Sequence, residues 1–343
     1  QSCHDVVQQI RQLKIQSNQR LFFHYIGNHL DNPPNDGLEF SQNIVLQLTD
    51  LLKICGKFAC FVFDRDNAGN LLPTFLDYVN STDSNIFAFF SCRQNEFLPH
   101  SSDYPVDIFT SCLNSPARIA LTWHSRHYYC FQSGPLKPIS LLFIEKHESG
   151  SNDNEKVRIK MLLDDLTTTL RSIVEAMCVR MLTPEQFCKF FRTDKVLNRI
   201  SINFILACRI LHFFNIHPVS YPRLPDMNNA YEWHTFDLRL DATLYLLNHP
   251  EEDGSSALLS QHCFLSQVLS TFQNKLTVTR DINDNTPSPF ELSFYKSILK
   301  DPQLSNEASM ILAKYLDSSS NAIVCSLYYP IPKTLLKLLA KSA

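Results

Sequence analysis

The N-terminal part of the chain alternates between two hydrophobic periods. Apolar residues at helical spacing over 6–13 are followed by compact apolar runs at 21–26, 58–63 and 86–91, which are rich in aromatic and β-branched side chains. Short runs of this kind are typical of buried parallel strands. Apolar positions over 44–54 recur at helix-compatible intervals instead. The alternation predicts a layered α/β domain with a mainly parallel sheet.

This α/β pattern ends in a polar stretch. Before it, Ser115 stands as a capping residue ahead of Pro116, which favours the first position of a helix, so a helix is predicted to begin there. A last apolar run covers 139–144, and a polar, glycine-containing stretch follows. We therefore predict an N-terminal domain over 1–147 and a linker over 148–154.

From 155 to 343 the pattern is helical throughout. Apolar residues over 159–177 follow the i, i+3, i+4, i+7 spacing, and 183–186 (TPEQ) has the sequence of a capping box that opens a new helix. Further helical patterns cover 195–214, 228–248, 257–278, 288–300, 304–316 and 321–340. Consecutive helices joined by short loops predict an α-solenoid of the armadillo or HEAT type, although no strict repeat period is present. The predicted fold class is thus α/β followed by all-α.

Composition and charge argue against several classes of protein, among them nucleic-acid-binding and membrane-spanning proteins. The chain has 343 residues and is 44% hydrophobic, enough for a large core. Its net charge is -3 and it has no run of five or more basic residues, which argues against a nucleic-acid partner. No apolar run reaches the about 18 residues of a membrane span, so none is predicted. Residues 1–5 lack a signal-peptide pattern, and we expect no signal peptide.

Cysteine and glycine usage argues against several kinds of site. The eleven cysteines are odd in number and scattered, mostly within apolar stretches, as is typical of reduced thiols, so we expect a cytoplasmic protein. No C-x-x-C pair is present, and we predict no zinc or other metal site. The seven glycines form neither of the phosphate-binding glycine motifs, so no cofactor is predicted.

Several segments resemble a known family. In chain order they are LFFHYIG at 21–27, FVFDRDNAG at 61–69, YPVDIFTSCLNSPARIALTW at 104–123, LTPEQFCKFFR at 182–192 and PVSYPRLPD at 218–226, followed by Trp233. Their order and spacing resemble the Raptor family, in its caspase-like N-terminal region and the helices behind it. The resemblance covers essentially the whole chain, and its most specific parts are 107–113 and 218–225. It implies a partial caspase-like α/β/α sandwich followed by the start of a helical-repeat region.

Two departures fall where a caspase-like fold carries its catalytic histidine and cysteine. The family's H-Y-N-G-H-G corresponds to 24–29, where Asn28 replaces the second histidine, and its D-C-S-N-A-G corresponds to 64–69, where Arg65 replaces the cysteine. Neither an amide nor a guanidinium group can perform Cys–His chemistry. We therefore predict no catalytic residue and a non-enzymatic protein. The family's first strand, remaining repeats and propeller have no counterpart, so we interpret the sequence as a fragment.

An active Cys–His peptidase is one alternative, and another helical-repeat interaction module is a second. A one-residue bulge would bring His29 to the histidine position, but no cysteine occupies the facing turn. Cys60 lies inside a predicted strand and is most simply a core residue. His29 is most simply an exposed loop residue, and His24 a hydrogen-bonded core histidine.

Other polar and aromatic positions also have two interpretations. The charged residues 64–66 form either a pocket for a basic side chain or a solvated, self-paired cluster, and we favour the cluster. Residues 67–69 are expected to open the next helix, with the asparagine as a cap. The prolines of 218–225 predict an extended connector between solenoid helices, with a partner-ordering surface as the alternative. Trp233 and Phe236 are expected to be core anchors.

The resemblance implies a scaffold or adaptor subunit of TOR complex one. Such a subunit would dock to the TOR kinase, recruit substrates that carry a TOR-signalling motif, and meet small GTPases of nutrient sensing. Its expected location is cytoplasmic, with recruitment to a lysosomal or vacuolar surface through partners. The sequence assigns none of these contacts to particular residues, so the partner-binding residues are unknown at this point.

Overall fold

The computed structural model describes most of the chain. The described residues are 3–12, 19–27, 36–41, 44–82, 84–99, 107–127, 139–149, 153–249, 254–278 and 286–342. Their Cα positions divide the chain into two compact units, one of residues 1–116 and 199–228, the other of residues 117–198 and 229–343. Each unit is described by itself below.

The two units differ in extent from the domains predicted by the pattern of residues. Residues 199–228 belong to the first unit, because they supply a helix and a strand to it. The predicted linker 148–154 lies partly outside the described residues: 148 and 149 end one helix, and 153 and 154 begin the next. The predicted domain boundary therefore stays a prediction.

Six strands are described, all in the first unit. They are β1 (Leu21–Ile26), β2 (Gly37–Ser41), β3 (Ile44–Gln47), β4 (Ala59–Asp64), β5 (Phe87–Phe90) and β6 (Val219–Tyr221). The main sheet has the order β1-β4-β5-β6, in which β1, β4 and β5 are parallel and β6 is antiparallel to β5. Strands β2 and β3 form a separate antiparallel pair. The predicted strands at 21–26, 58–63 and 86–91 and their parallel pairing are confirmed.

The helices follow in both units. They are α1 (Cys3–Gln12), α2 (Leu48–Cys55), α3 (Leu72–Asn80), α4 (Ile108–Asn114), α5 (Pro116–His127), α6 (Leu141–Ser149), α7 (Asp153–Met181), α8 (Pro184–Phe191), α9 (Lys195–His212), α10 (Trp233–Asn248), α11 (Gly254–Val278), α12 (Tyr295–Ile298), α13 (Ser305–Leu316), α14 (Ser320–Leu327) and α15 (Ile331–Ser342). Two 3₁₀ helices cover Ala68–Leu71 and Phe290–Phe294.

Aromatic side chains form the core of the sheet. The ring of Phe63 stacks on Phe61 at 5.8 Å and on Phe90 at 5.2 Å between centroids. On β5, the ring of Phe89 lies 4.9 Å from that of Phe204 on α9. Burial on both faces explains why these strands are continuous apolar runs. It also explains why 199–212 joins the first unit, since α9 covers one face of β5.

The helix predicted over 44–54 is correct only in its second half. Residues 44–47 form β3, which pairs with β2, and the helix begins at Leu48. The helical spacing is satisfied by Leu48, Leu51 and Leu52, which are fully buried, whereas Val45 is exposed. Pairing with a neighbouring strand therefore overrides the local periodicity at this point.

The second unit is mostly helical, as predicted. Its long helix α7 packs against α6, α8, α10 and α11 and buries Leu166, Leu170 and Ile173 completely. The predicted capping box at the start of α8 is confirmed, because Thr183 and Gln186 exchange both hydrogen bonds. The single helix predicted over 321–340 is wrong. It consists of α14 and α15, separated at Pro330, which cannot continue a helix.

Candidate functional site

The ends of β1 and β4 lie side by side, as the caspase-like frame requires. Ile26 pairs with Asp64, and the Gly27 amide donates to the Asp64 carbonyl across 2.8 Å. In open α/β sheets, functional groups gather at these carboxyl ends of the strands. Asn28 and His29 follow immediately in sequence but lie outside the described residues.

Arg65 occupies the position that follows β4, where the frame would place a nucleophilic cysteine. Its side chain is buried, and its Nη1 donates to the carbonyl of Gly37 at 2.8 Å while its Nε donates to the carbonyl of Asp66 at 3.2 Å. Burial lowers the pKa of the Arg65 guanidinium, but this group remains a cation in proteins. Arg65 therefore holds the β2–β3 pair at the end of the sheet and offers no nucleophile.

The interpretation of 64–66 as a solvated cluster is wrong. Asp64, Arg65 and Asp66 are only 1%, 3% and 4% exposed. The Asp66 carboxylate accepts a hydrogen bond from the Leu98 amide at 2.6 Å, so it binds backbone as Arg65 does. A buried charge needs such partners. The three residues are thus internal connectors of the first unit, and none lines an open pocket for a basic side chain.

A second polar group forms around Asp64. The hydroxyl of Thr110 on α4 donates to Asp64 Oδ2 and lies 3.3 Å from Nε2 of His24. Asp107 caps α4 by accepting from the Thr110 amide at 2.9 Å. Burial raises the pKa of Asp64 well above its usual value, and the nearby negative charge of Asp107 raises it further. Both effects favour the protonated form of the Asp64 carboxyl.

His24 has the hydrogen bond expected of a core histidine. It lies half-buried on β1 within reach of Thr110, and burial lowers its pKa while the charge of Asp107 opposes that effect. A lowered pKa favours the neutral imidazole. The group His24–Thr110–Asp64 contains no thiol, so it cannot form a thiolate–imidazolium pair.

The thiol of Cys92 lies beside the Arg65 backbone, and no sequence pattern pointed to it. It follows β5, and its Sγ lies 3.4 Å from the Arg65 carbonyl and accepts from the Ala68 amide at 3.3 Å. Burial raises the pKa of the Cys92 thiol to about 11. Because the thiolate is the reactive form, this cysteine is inert at neutral pH. Cys60 is 2% exposed within β4, which confirms it as a core residue.

The turn after β4 is held by a close backbone approach. Asn67 has a left-handed conformation with φ of 54° and makes no side-chain capping bond, so the predicted asparagine cap is wrong. A Cβ on Gly69 would lie 2.4 Å from the Gln94 nitrogen and 2.6 Å from the Arg93 carbonyl carbon. Only glycine fits at Gly69, because the backbone that follows β5 crosses directly above it.

The proline-rich segment 218–225 is extended, but it does not connect solenoid helices as predicted. Its residues Val219–Tyr221 form β6, the edge strand of the main sheet. Just before it, the Glu96 carboxylate binds the His217 Nδ1 at 2.7 Å and accepts from the His217 amide at 2.8 Å. These bonds fix the segment to the loop behind β5. In the second unit, Trp233 and Phe236 are buried, as expected of core anchors.

Two further properties concern metal binding and membrane crossing. Among the described residues, no group of three or more His, Cys, Asp or Glu side chains is arranged to hold a metal ion. Within the same ranges, no helix combines the length and apolar character that crossing a bilayer requires.

Comparisons with known proteins agree with this geometry. Residues 1–75 match the family model described as Raptor N-terminal CASPase like domain. The chain is 26% identical to Regulatory-associated protein of TOR 2 from Oryza sativa subsp. japonica, over 96% of this chain and 24% of that protein. It is also 26% identical to Target of rapamycin complex 1 subunit mip1 from Schizosaccharomyces pombe, over 97% of this chain and 27% of that protein.

A solved structure extends the comparison to the whole chain. The crystal structure of Chaetomium thermophilum Raptor matches with a TM-score of 0.80 and 25% identity, and the match covers 100% of this chain and 31% of that one. The chain spans about a quarter of the length of the curated relatives it matches. The α/β unit, the helical unit and these matches together show that the chain is similar to the Raptor family, with the caspase-like model matching its residues 1–75.

Proposed function

We propose that this chain is part of a non-enzymatic adaptor subunit of TOR complex one. The observation that carries the proposal is Arg65, which is buried after β4 and bonded to the Gly37 carbonyl where a peptidase would present its nucleophile. Support also comes from the names of the relatives, one of which is called a subunit of target of rapamycin complex 1 and another a regulatory-associated protein of TOR.

The absence of peptidase chemistry follows from what each group at the strand ends can do. A guanidinium cannot attack a carbonyl carbon. The neighbouring thiol of Cys92 is protonated at neutral pH, since burial raises its pKa to about 11. Burial also raises the pKa of the Asp64 carboxyl, which favours its protonated form. Among the described residues at this site, every candidate group is therefore engaged in holding the fold.

An adaptor of this kind acts by recruitment. It would dock to the helical repeats of the TOR kinase through its own helices and hold substrates that carry a TOR-signalling motif. Tethering raises the effective concentration of substrate at the kinase without changing the phosphoryl-transfer step. Helical-repeat proteins suit this role because they leave long faces free for partners. The same proposal includes small GTPases of nutrient sensing as partners, and a cytoplasmic location with recruitment to a lysosomal or vacuolar surface.

The experiment that tests the proposal is purification of the tagged full-length protein from its own cells, followed by mass spectrometry. We expect the TOR kinase to co-purify in amounts comparable to the bait. A second tagged protein with helical repeats, expressed at the same level, is the matched control and should not retain the kinase. Reproducible absence of the kinase from preparations of intact, soluble bait would overturn the proposal.

A further inference from the structure

A buried histidine joins α5 to α10 in the second unit. The side chain of His124, in the last turn of α5, is 1% exposed. Its Nε2 lies 2.7 Å from Oδ1 of Asp241, and its Nδ1 lies 3.9 Å from Oδ1 of Asp237. Asp237 and Asp241 are at positions i and i+4 of α10, so one face of this helix presents both carboxylates to the two ring nitrogens.

The hydrogen-bonding capacity of the ring determines which protonation state fits this geometry. A neutral imidazole carries an N–H on one nitrogen, whereas an imidazolium carries one on each. When Nε2 of a neutral His124 donates to Asp241, the lone pair of Nδ1 faces the Asp237 carboxylate. Oδ1 of Asp237 is buried, so bulk water does not solvate it. Only the imidazolium presents an N–H to each of the two carboxylates.

Several electrostatic effects act on the ring in opposite directions. Burial of His124 disfavours the imidazolium. The negative charges of Asp237 and Asp241 favour it, although water partly screens Asp241, which is 46% exposed, whereas Asp237 is 16% exposed. The end of α5 favours the imidazolium as well, because the helix dipole places partial negative charge beside the last turn.

Positive charges near the ring also enter this balance. Arg239 lies between the two aspartates in sequence, but its guanidinium binds a carboxylate on α7. On α5 itself, Nδ1 of His127 lies 2.8 Å from a backbone carbonyl oxygen of the same helix. Arg126 lies in the same last turn, and its charge opposes protonation of His124. The carboxylates that contact the ring therefore come from α10.

We propose that His124 is a proton-dependent latch, which holds α5 against α10 while its ring is protonated and releases α5 when the ring loses that proton. The folded protein binds this proton more tightly than the unfolded chain does. The stabilisation is therefore present below the ordinary titration range of histidine and is lost as pH rises above it. Helix α5 begins at Pro116, where the second unit starts, so the latch fastens the helix by which the chain first enters that unit.

The test measures the protonation of the ring directly, by NMR on the full chain labelled with ¹⁵N-histidine. Through-space contacts with protons of α10 identify the signal of His124. We expect both of its ring nitrogens to carry a proton at about pH 7. Asp237→Asn and Asp241→Asn should each lower the pH at which the ring titrates by about one unit. Asp317→Asn, at an exposed position after α13, is the matched control and should leave it unchanged.

A second readout follows the helix itself. Hydrogen exchange at about pH 7, measured by mass spectrometry, compares peptides that cover 117–127 in the unchanged protein and in each variant. We expect exchange in α5 to be about tenfold faster in Asp237→Asn and unchanged in Asp317→Asn. A neutral His124 ring at that pH in the folded chain would overturn the proposal, and so would a titration of the ring that both α10 substitutions leave in place. None of these outcomes bears on co-purification with the TOR kinase.

Discussion

The guanidinium of Arg65 donates a hydrogen bond to the carbonyl oxygen of Gly37 across 2.8 Å. This bond joins the end of β4 to the first residue of β2 and uses the residue that the family resemblance predicts at the position of a peptidase nucleophile. Arg65 is therefore part of the framework that holds the end of the sheet.

Restoring a cysteine at this position should not restore an enzyme. Arg65→Cys removes a buried charge-assisted bond and leaves the Gly37 carbonyl without that donor, so we expect a loss of about 2–3 kcal/mol in the free energy of unfolding. Urea denaturation measures it, and a peptide-cleavage assay on the same preparation should stay at background. Arg93→Cys, at an exposed arginine in the same unit, is the control and should change stability by less than about 0.5 kcal/mol. Cleavage by the Arg65→Cys protein would contradict the framework role.

The raised pKa of Asp64 should make stability depend on pH. The folded-state pKa of Asp64 is raised above its unfolded value by burial and by Asp107. The folded protein therefore binds this proton more tightly, and its stability falls as pH rises from the unfolded pKa towards the folded one. Asp64→Asn should flatten this dependence and stabilise the protein at neutral pH, by about 1.4 kcal/mol for each unit of the raised pKa.

Urea unfolding at intervals of about half a pH unit between about pH 4 and pH 8 measures how the free energy of unfolding depends on pH. Asp77→Asn, at an exposed position on α3, is the matched control and should leave the pH profile as it is. If Asp64→Asn and the unchanged protein give superimposable profiles, then Asp64 is ionised in the folded state and the assignment is wrong.

Part of this arrangement could be predicted from the residues and part could not. Strands β4 and β5 are buried on both faces, so their continuous apolar runs identify them, and β1 is identified by its own apolar run although Phe22 and Ile26 are exposed. The edge strand Val219–Tyr221 is only three residues long and depends on pairing with β5, which lies far away in the sequence. The local pattern of apolar residues does not indicate such a long-range pairing.

The candidate site likewise could be predicted only in part from the sequence. The resemblance predicts that Arg65 stands in place of a cysteine, but the sequence does not show that Arg65 is buried, because charged residues in a loop are usually solvated. Cys92 was missed for a related reason. It becomes a neighbour of Arg65 only when β5 pairs with β4, and a single cysteine after a strand gives no signal by itself.

The close approach over Gly69 gives a paired stability test. Gly69→Ala would place a Cβ within 2.4 Å of the Gln94 backbone nitrogen, and neither chain segment can shift without breaking its hydrogen bonds. We expect a cost of about 3 kcal/mol or more, as for an overpacked site. Gly56 has φ 76° and ψ -164°, a conformation that other residues rarely adopt, but nothing lies within 4 Å of the new Cβ, so Gly56→Ala should cost about 1–2 kcal/mol of backbone strain without a clash. Equal costs at the two positions, measured by urea unfolding, would show that the backbone crossing is not tight.

Exposed and buried cysteines should differ in how readily their thiols are alkylated. Cys92 is fully buried with a raised pKa, whereas Cys188 is exposed on α8. Brief treatment of the native protein with iodoacetamide at pH 7 should modify Cys188 and leave Cys92 intact, as measured by peptide mass spectrometry. Cys92 should react only after denaturation. Selective modification of Cys92 in the native protein would revive a catalytic interpretation of this site.

The adaptor role itself can be measured with the purified TOR kinase, the full-length protein, and one substrate in two forms, with and without its TOR-signalling motif. At substrate concentrations below saturation, the protein should speed phosphorylation of the motif-bearing form and leave the other form unchanged, since tethering acts through effective concentration alone. Equal rates for the two forms in the presence of the protein, or cleavage of the substrate, would contradict this account.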